Sequence, residues 1–259
     1  MSFASWQALY QSDLQGAVAV VVVPLLFLIY LAWADEPASA GVMPGASRFM
    51  RAWAGTFAVL TIVDPLAGGP LMRLLGVADA PIATIVMVAF VLLGDFRVYL
   101  LLFTLMTHAG PRHDHRVADP LYATRDALRM MPPRAAFGAA LATLVVPIVA
   151  VTVEGALRAR YAALPAQSIW LTYELAFLTV ALVLRTWVVP ARVPAATPRL
   201  QHYLRTVLGY VAVYYALWAI ADVMIIAGLD IGWALRIVPN QLYYAFWVPF
   251  AYGLFFARR

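Results

Sequence analysis

Leu200–Arg259 reads LQHYLRTVLGYVAVYYALWAIADVMIIAGLDIGWALRIVPNQLYYAFWVPFAYGLFFARR, and this stretch decides the fold. Two apolar runs flank the short turn Gly228-Leu229-Asp230. Each is long enough for a helix across a bilayer, which takes ~20 residues. The first run carries Tyr210, Tyr214, Trp218 and Asp222, each four residues after the last. Residues four apart share a helix face, so this is an aromatic stripe that ends in a carboxylate. The second run carries Arg236, Asn240, Tyr244 and Trp247 at spacings of four, four and three. Asp222 stands seven residues before Leu229 and Arg236 seven after it. An antiparallel hairpin therefore sets an acid and a guanidinium at similar depth inside an apolar segment.

The rest of the chain has the same character. Of 259 residues, 64% are hydrophobic, and the mean hydropathy of +0.82 is far above that of a soluble domain. Backbone polar groups must pair within the lipid, and the runs are too long for barrel strands, so they read as helices. The expected fold is all-α: a single-domain seven-transmembrane-helix bundle. Its spans fall at about 14–34, 49–71, 81–108, 135–157, 168–190, 200–228 and 231–257. Trp6 and Tyr10 suit an interfacial anchor ahead of the first span. In the second span, Asp64-Pro65 and Gly68-Gly69-Pro70 predict a break, with Asp64 as N-cap and Pro65 opening a short second piece; the alternative is a helix that kinks or leaves the membrane early. Asp119-Pro120 predicts the start of an amphipathic surface helix over 119–131, with Leu121, Leu128 and Met131 on one face and Arg125 and Arg129 on another.

Composition removes several chemistries. There is no cysteine, which excludes thiolate catalysis and iron–sulfur ligation. All eighteen basic residues are arginine, so a retinal Schiff base, which needs a lysine, is excluded. No Gly-x-Ser-x-Gly, His-Glu-x-x-His or Gly-rich phosphate loop occurs. His108, His113, Asp114 and His115 cluster in an arginine-rich loop at a spacing that matches no metal signature. No histidine lies inside a span, which argues against a b-type haem. No metal or cofactor is expected.

The net charge of +5 comes from arginines beside helices, and so points to membrane orientation and not to nucleic acid. The loops after the first, third and fifth spans, with the C-terminus, hold Arg48, Arg51, Arg112, Arg116, Arg125, Arg129, Arg134, Arg192, Arg199, Arg205, Arg258 and Arg259. The other side holds Arg73, Arg158 and Arg160. The positive-inside rule then places the N-terminus outside and the C-terminus in the cytoplasm. The Ala, Val and Arg bias without lysine points to a bacterial inner membrane.

Charges inside apolar spans usually face the bundle and pair, because an isolated charge at the bilayer centre costs ~2.5–3.5 kcal/mol even on insertion scales. Asp64, Asp95, Arg97, Glu174, Arg185, Asp222 and Arg236 are such residues here. Arg185 is close enough to Pro190 to snorkel, and Glu154 with Arg158 forms a local i,i+4 pair. The others predict a polar pocket among the second, third, fifth, sixth and seventh helices. Asp64, Asp95 and Glu174 supply carboxylates. Tyr214, Trp218 and Asp222 face them from the sixth helix, and Arg236, Asn240 and Tyr244 from the seventh. Asp222 with Arg236 reads either as a structural clasp or as part of a site for a cation, an amine or a transferred proton.

Two segments resemble the lysoplasmalogenase family of multi-pass hydrolases. One is Val91-Leu92-Leu93-Gly94-Asp95; the other is Ala219-Ile220-Ala221-Asp222, followed about twenty residues later by Tyr243-Tyr244. The resemblance implies two membrane-embedded catalytic aspartates, at Asp95 and Asp222. Arg97 after the first aspartate, the longer basic loop and seven spans instead of eight depart from that pattern.

The expected function is that of a multi-pass membrane protein which binds, senses or carries a small or lipid-like ligand, or serves as a subunit beside another membrane protein. The alternative is a lipid hydrolase that uses Asp95 and Asp222.

Overall fold

The computed structural model describes residues 5–34, 44–67, 70–77, 80–108, 134–161, 164–193, 195 and 197–257. Among them there is helix and turn but no strand. The expected surface helix at 119–131 and the His113-Asp114-His115 group lie outside the described residues.

The helices run in order as α1 (Trp6–Tyr10), α2 (Ala19–Trp33), α3 (Pro44–Ala67), α4 (Pro70–Leu74), α5 (Pro81–His108), α6 (Arg134–Ala142), α7 (Val145–Arg160), α8 (Ser168–Val183), α9 (Val189–Arg192), α10 (Pro198–Ile226), α11 (Ile231–Asn240) and α12 (Trp247–Phe256). Wide π-helical turns at Leu14–Val18, Leu184–Val188 and Gln241–Phe246 lead into α2, join α8 to α9, and join α11 to α12. The last two stand just ahead of Pro190 and Pro249. In the second of the three turns the Val189 amide donates to the Leu184 carbonyl, five residues back, the spacing of a π-turn.

Among the described residues, five helical segments are long and apolar enough to cross a membrane: Leu14–Trp33, Pro81–Thr107, Arg134–Arg160, Ser168–Arg192 and Pro198–Ile226. This points to a multi-pass membrane protein. α3 and the α11–α12 rod have comparable length, but polar residues dilute their apolar runs. The distribution of side chains agrees with lipid as the surrounding solvent. Val22, Leu25, Leu26 and Ile29 on α2 and Ile148, Val149 and Val151 on α7 are exposed, whereas Asp95, Arg97, Glu174, Asp222 and Arg236 are buried.

α10 is the centre of the bundle, with α8 along one side and α11 along another. Its buried residues Leu200, Leu204, Val207, Leu208, Val211, Tyr214, Tyr215, Trp218 and Asp222 recur at helical spacing and cover a wide stripe. α10 and α11 approach closely at Gly232, where a Cβ would lie 2.8 Å from the Ala221 carbonyl oxygen. Glycine is the residue that permits such backbone proximity.

The expected break at Asp64 is corrected. α3 starts at Pro44, a favourable first position, and continues through Asp64 and Pro65 to Ala67, with α4 starting at Pro70. Asp64 is thus a residue inside a helix and not an N-cap. Pro65 removes one backbone hydrogen bond, which a membrane helix tolerates. The span expected at 135–157 falls within Arg134–Arg160, which carries a local turn at Thr143-Leu144, between α6 and α7. There the ladder tightens: Val146 N–H donates to the Thr143 carbonyl at 3.0 Å, and the Thr143 hydroxyl to the Ala140 carbonyl at 2.6 Å. Pro147, which cannot donate to Thr143, accounts for the change.

Candidate functional site

A cavity of about 390 Å³ lies among α1, α5, α8, α10, α11 and the Gln241–Phe246 turn. It reaches Asp95, in the middle of α5, from the end of the bundle that carries α1, the start of α8 and the α10–α11 turn.

Asp95 is 2% exposed and accepts hydrogen bonds from the Tyr173 and Tyr215 hydroxyls. These phenols converge because α8 and α10 pack side by side: Tyr173 meets Phe177 edge-on at 4.9 Å, and Phe177 stacks on Tyr215 at 5.4 Å. One residue earlier on α5, Gly94 leaves room for Tyr243; a Cβ there would fall onto the Tyr243 hydroxyl.

Arg236 ties a second network together. Nη1 donates to Asp222 Oδ1, Nη2 stands 3.4 Å from Glu174 Oε1, and Nε donates to the Tyr10 hydroxyl at 3.1 Å. Gln167 Nε2 donates to Asp222 Oδ1 at 2.9 Å. The Tyr10 hydroxyl also accepts from Asn240 Nδ2 at 3.2 Å, and Asn240 Oδ1 accepts from Trp218 Nε1 at 2.8 Å. Tyr10 is held there by α1, whose Trp6 and Gln7 amides donate to Asp230 at 2.9 and 3.3 Å. Glu174 Oε2 and Asp222 Oδ2 are buried with no hydrogen-bond partner among the described residues.

Arg97 is 3% exposed and stands outside the cavity wall. Its guanidinium donates to the Thr61 hydroxyl and, at 2.7 Å, to the Tyr243 carbonyl. It also lies 4.6 Å from the centre of the Tyr243 ring. Arg185 Nε donates to the Arg205 carbonyl at 3.2 Å, and Glu154 pairs with Arg158. Among the described residues no group of three His, Asp or Glu side chains could hold a metal ion.

The structure thus brings six of the nine expected pocket residues to one wall: Asp95, Glu174, Trp218, Arg236, Asn240 and Tyr244. Asp222 is fully buried behind Arg236, off the cavity. Tyr214 is buried among the rings of Tyr210, Tyr215, Trp218 and Tyr243, also off the cavity. Asp64 lines a neighbouring cavity of about 340 Å³, which shares Tyr10, Gln11, Asn240 and Tyr244 with the first. Gln167 and Tyr173 do not stand out in the sequence as site residues, and Tyr10 reads there as an interfacial anchor. The adjacency of Tyr173 to Glu174 was the one available signal.

The two aspartates of the hydrolase resemblance belong to separate networks. Asp95 meets two phenols and lines the cavity; Asp222 is held by Arg236 and Gln167 away from it. No family model, curated protein or solved structure matches the chain.

Proposed function

We propose that this protein crosses a bacterial inner membrane seven times, with its N-terminus outside, and binds or carries a small or lipid-like ligand in the cavity between α5, α8, α10 and α11. The observation that carries the reading is the wall itself. Asp95, Glu174 and Arg236, at 2%, 2% and 7% exposed, line about 390 Å³ of space inside an apolar bundle. A chain that needed these charges only to clasp its helices would close that space, because packing stabilises and voids do not. The volume falls in the ~300–1,000 Å³ range of small-molecule sites, and mostly aromatic walls with a few convergent polar groups are typical of them. With α3 and α11–α12 counted as spans beside the five most apolar segments, the arginine asymmetry supports an outer position for the cavity.

The test is native mass spectrometry of protein extracted gently from its own membrane, beside a cavity-filling Val91→Trp variant. Val91 lines the cavity and is half-buried. The expected result is a bound non-protein mass on the wild type that is lost from the folded variant. The same bound masses on both proteins would overturn the reading.

A further inference from the structure

We propose that the cavity takes a small organic cation, a protonated or quaternary amine with an apolar substituent. This rests on the reading of the cavity as a ligand site and names the chemical class it accepts.

The charges argue for a positive ligand. Three buried carboxylates, Asp95, Glu174 and Asp222, stand in and behind the wall. One guanidinium, Arg236, shares the wall, and all three of its nitrogens are engaged, with Asp222, Glu174 and the Tyr10 hydroxyl. An anion there would meet the Asp222 and Glu174 carboxylates at the same guanidinium. Arg97 is committed to Thr61 and the Tyr243 carbonyl. Even with Arg97 counted, three acidic groups face two guanidiniums, and in their ionised forms they leave an excess of one negative charge. Glu174 is where that charge can act: it lines the cavity at 2% exposure, and its Oε2 has no partner among the described residues. An ammonium group in the cavity beside Glu174 would supply the missing positive charge. Asp95, by contrast, is bonded by two neutral phenols.

The remaining wall suits the rest of such a ligand. Trp170, Tyr173, Trp218, Trp233 and Tyr243 line the cavity. Ring faces attract cations within about 6 Å of their centres. The protein uses the same contact internally, with Arg97 over Tyr243 at 4.6 Å and Arg236 over Tyr10 at 5.8 Å. The cavity is far larger than a bare metal ion needs, and no metal-binding group of three side chains occurs among the described residues.

The test uses purified full-length protein in detergent and three probes of similar shape: benzyltrimethylammonium, its neutral isostere neopentylbenzene, and anionic benzylsulfonate. Binding is read from tryptophan fluorescence, which reports on Trp170, Trp218 and Trp233, and from native mass spectrometry. The expected result is saturable binding of the cation at least about tenfold tighter than of either other probe, a difference of ~1.4 kcal/mol. Glu174→Gln should weaken the cation at least about tenfold and leave neopentylbenzene unchanged. Arg236 keeps Asp222 in that variant, so it should fold; if it does not, the ranking of the probes on wild type still decides. Equal or tighter binding of the neutral or anionic probe would overturn the cation assignment while the ligand site stands. Unchanged cation affinity in folded Glu174→Gln would overturn Glu174 as counter-charge. Absence of binding by all three probes would overturn the cation proposal, and if no bound mass accompanies the native protein either, the ligand-site reading falls with it.

Discussion

Arg236→Gln should be among the most damaging single substitutions in the bundle. Arg236 bonds Asp222 and stands 3.4 Å from Glu174, and both carboxylates are at most 2% exposed. Removing one partner of a buried pair costs ~3–5 kcal/mol, because the other charge is left uncompensated in a dry place. Arg236→Gln strands two such charges, so the upper end, ~5 kcal/mol, applies. Asp222→Asn leaves Arg236 with Glu174 and should cost nearer ~3 kcal/mol. For a chain of this size ~1 kcal/mol corresponds to roughly 2–4 °C in the unfolding midpoint. The single variants should therefore melt roughly 6–20 °C below wild type in detergent. The double variant should lose less than the sum of the two, since neutralising Asp222 removes one of the stranded charges; adding Glu174→Gln should recover more. A double-mutant cycle by thermal-shift fluorescence measures that coupling. Additive losses, or an Arg236→Gln variant as stable as wild type, would refute the reasoning.

Three further outcomes are expected. Gly94→Ala should lower stability by ~1–3 kcal/mol through overpacking, and Tyr243→Phe should restore part of it by removing the hydroxyl that a Cβ at 94 would meet; a thermal-shift series checks both. Tyr173→Phe and Tyr215→Phe each remove one donor to Asp95 and should each cost ~1.5–3 kcal/mol, as hydrogen bonds to charged groups do, with unfolding midpoints near wild type counting against the pairing. A cytoplasm-dependent reporter should be active when fused after Arg259 and silent when fused in the Asp230 turn, because arginine excess marks the cytoplasmic side; the reverse pattern would invert the topology.

The helical class was legible because apolar runs near twenty residues leave the backbone few alternatives in lipid. The meeting of Asp222 with Arg236 was legible because a short turn fixes the register of a hairpin, and equal distance from Leu229 is a local property. The partners of Asp95 were not: Tyr173 and Tyr215 lie 78 and 120 residues away. Only the packing of α8 on α10 brings them together, and no spacing encodes it. Tyr10 reads as an interfacial anchor, but Asp230 binds the start of α1 at the Trp6 amide, 224 residues away, and the Tyr10 ring faces inward to Arg236 and Asn240. The proline signal misplaced the break in the second span, and the interruption ahead of Pro147 was not expected. Pro65 costs α3 one hydrogen bond and leaves the helix intact, whereas Pro147 stands just after the interruption at Thr143-Leu144. The number of spans was the least legible feature, since the polar residues that build the interior also dilute the apolar runs of α3 and α11–α12.

The cavity is tested most directly by an experimental density map of the protein extracted with its surrounding lipid into nanodiscs, at a resolution that shows side chains. Non-protein density is expected between Glu174, Trp218 and Asn240, with Arg236 still bridging Asp222 and Glu174. A cavity collapsed onto itself, with Glu174 Oε2 satisfied by a neighbouring side chain, would contradict it.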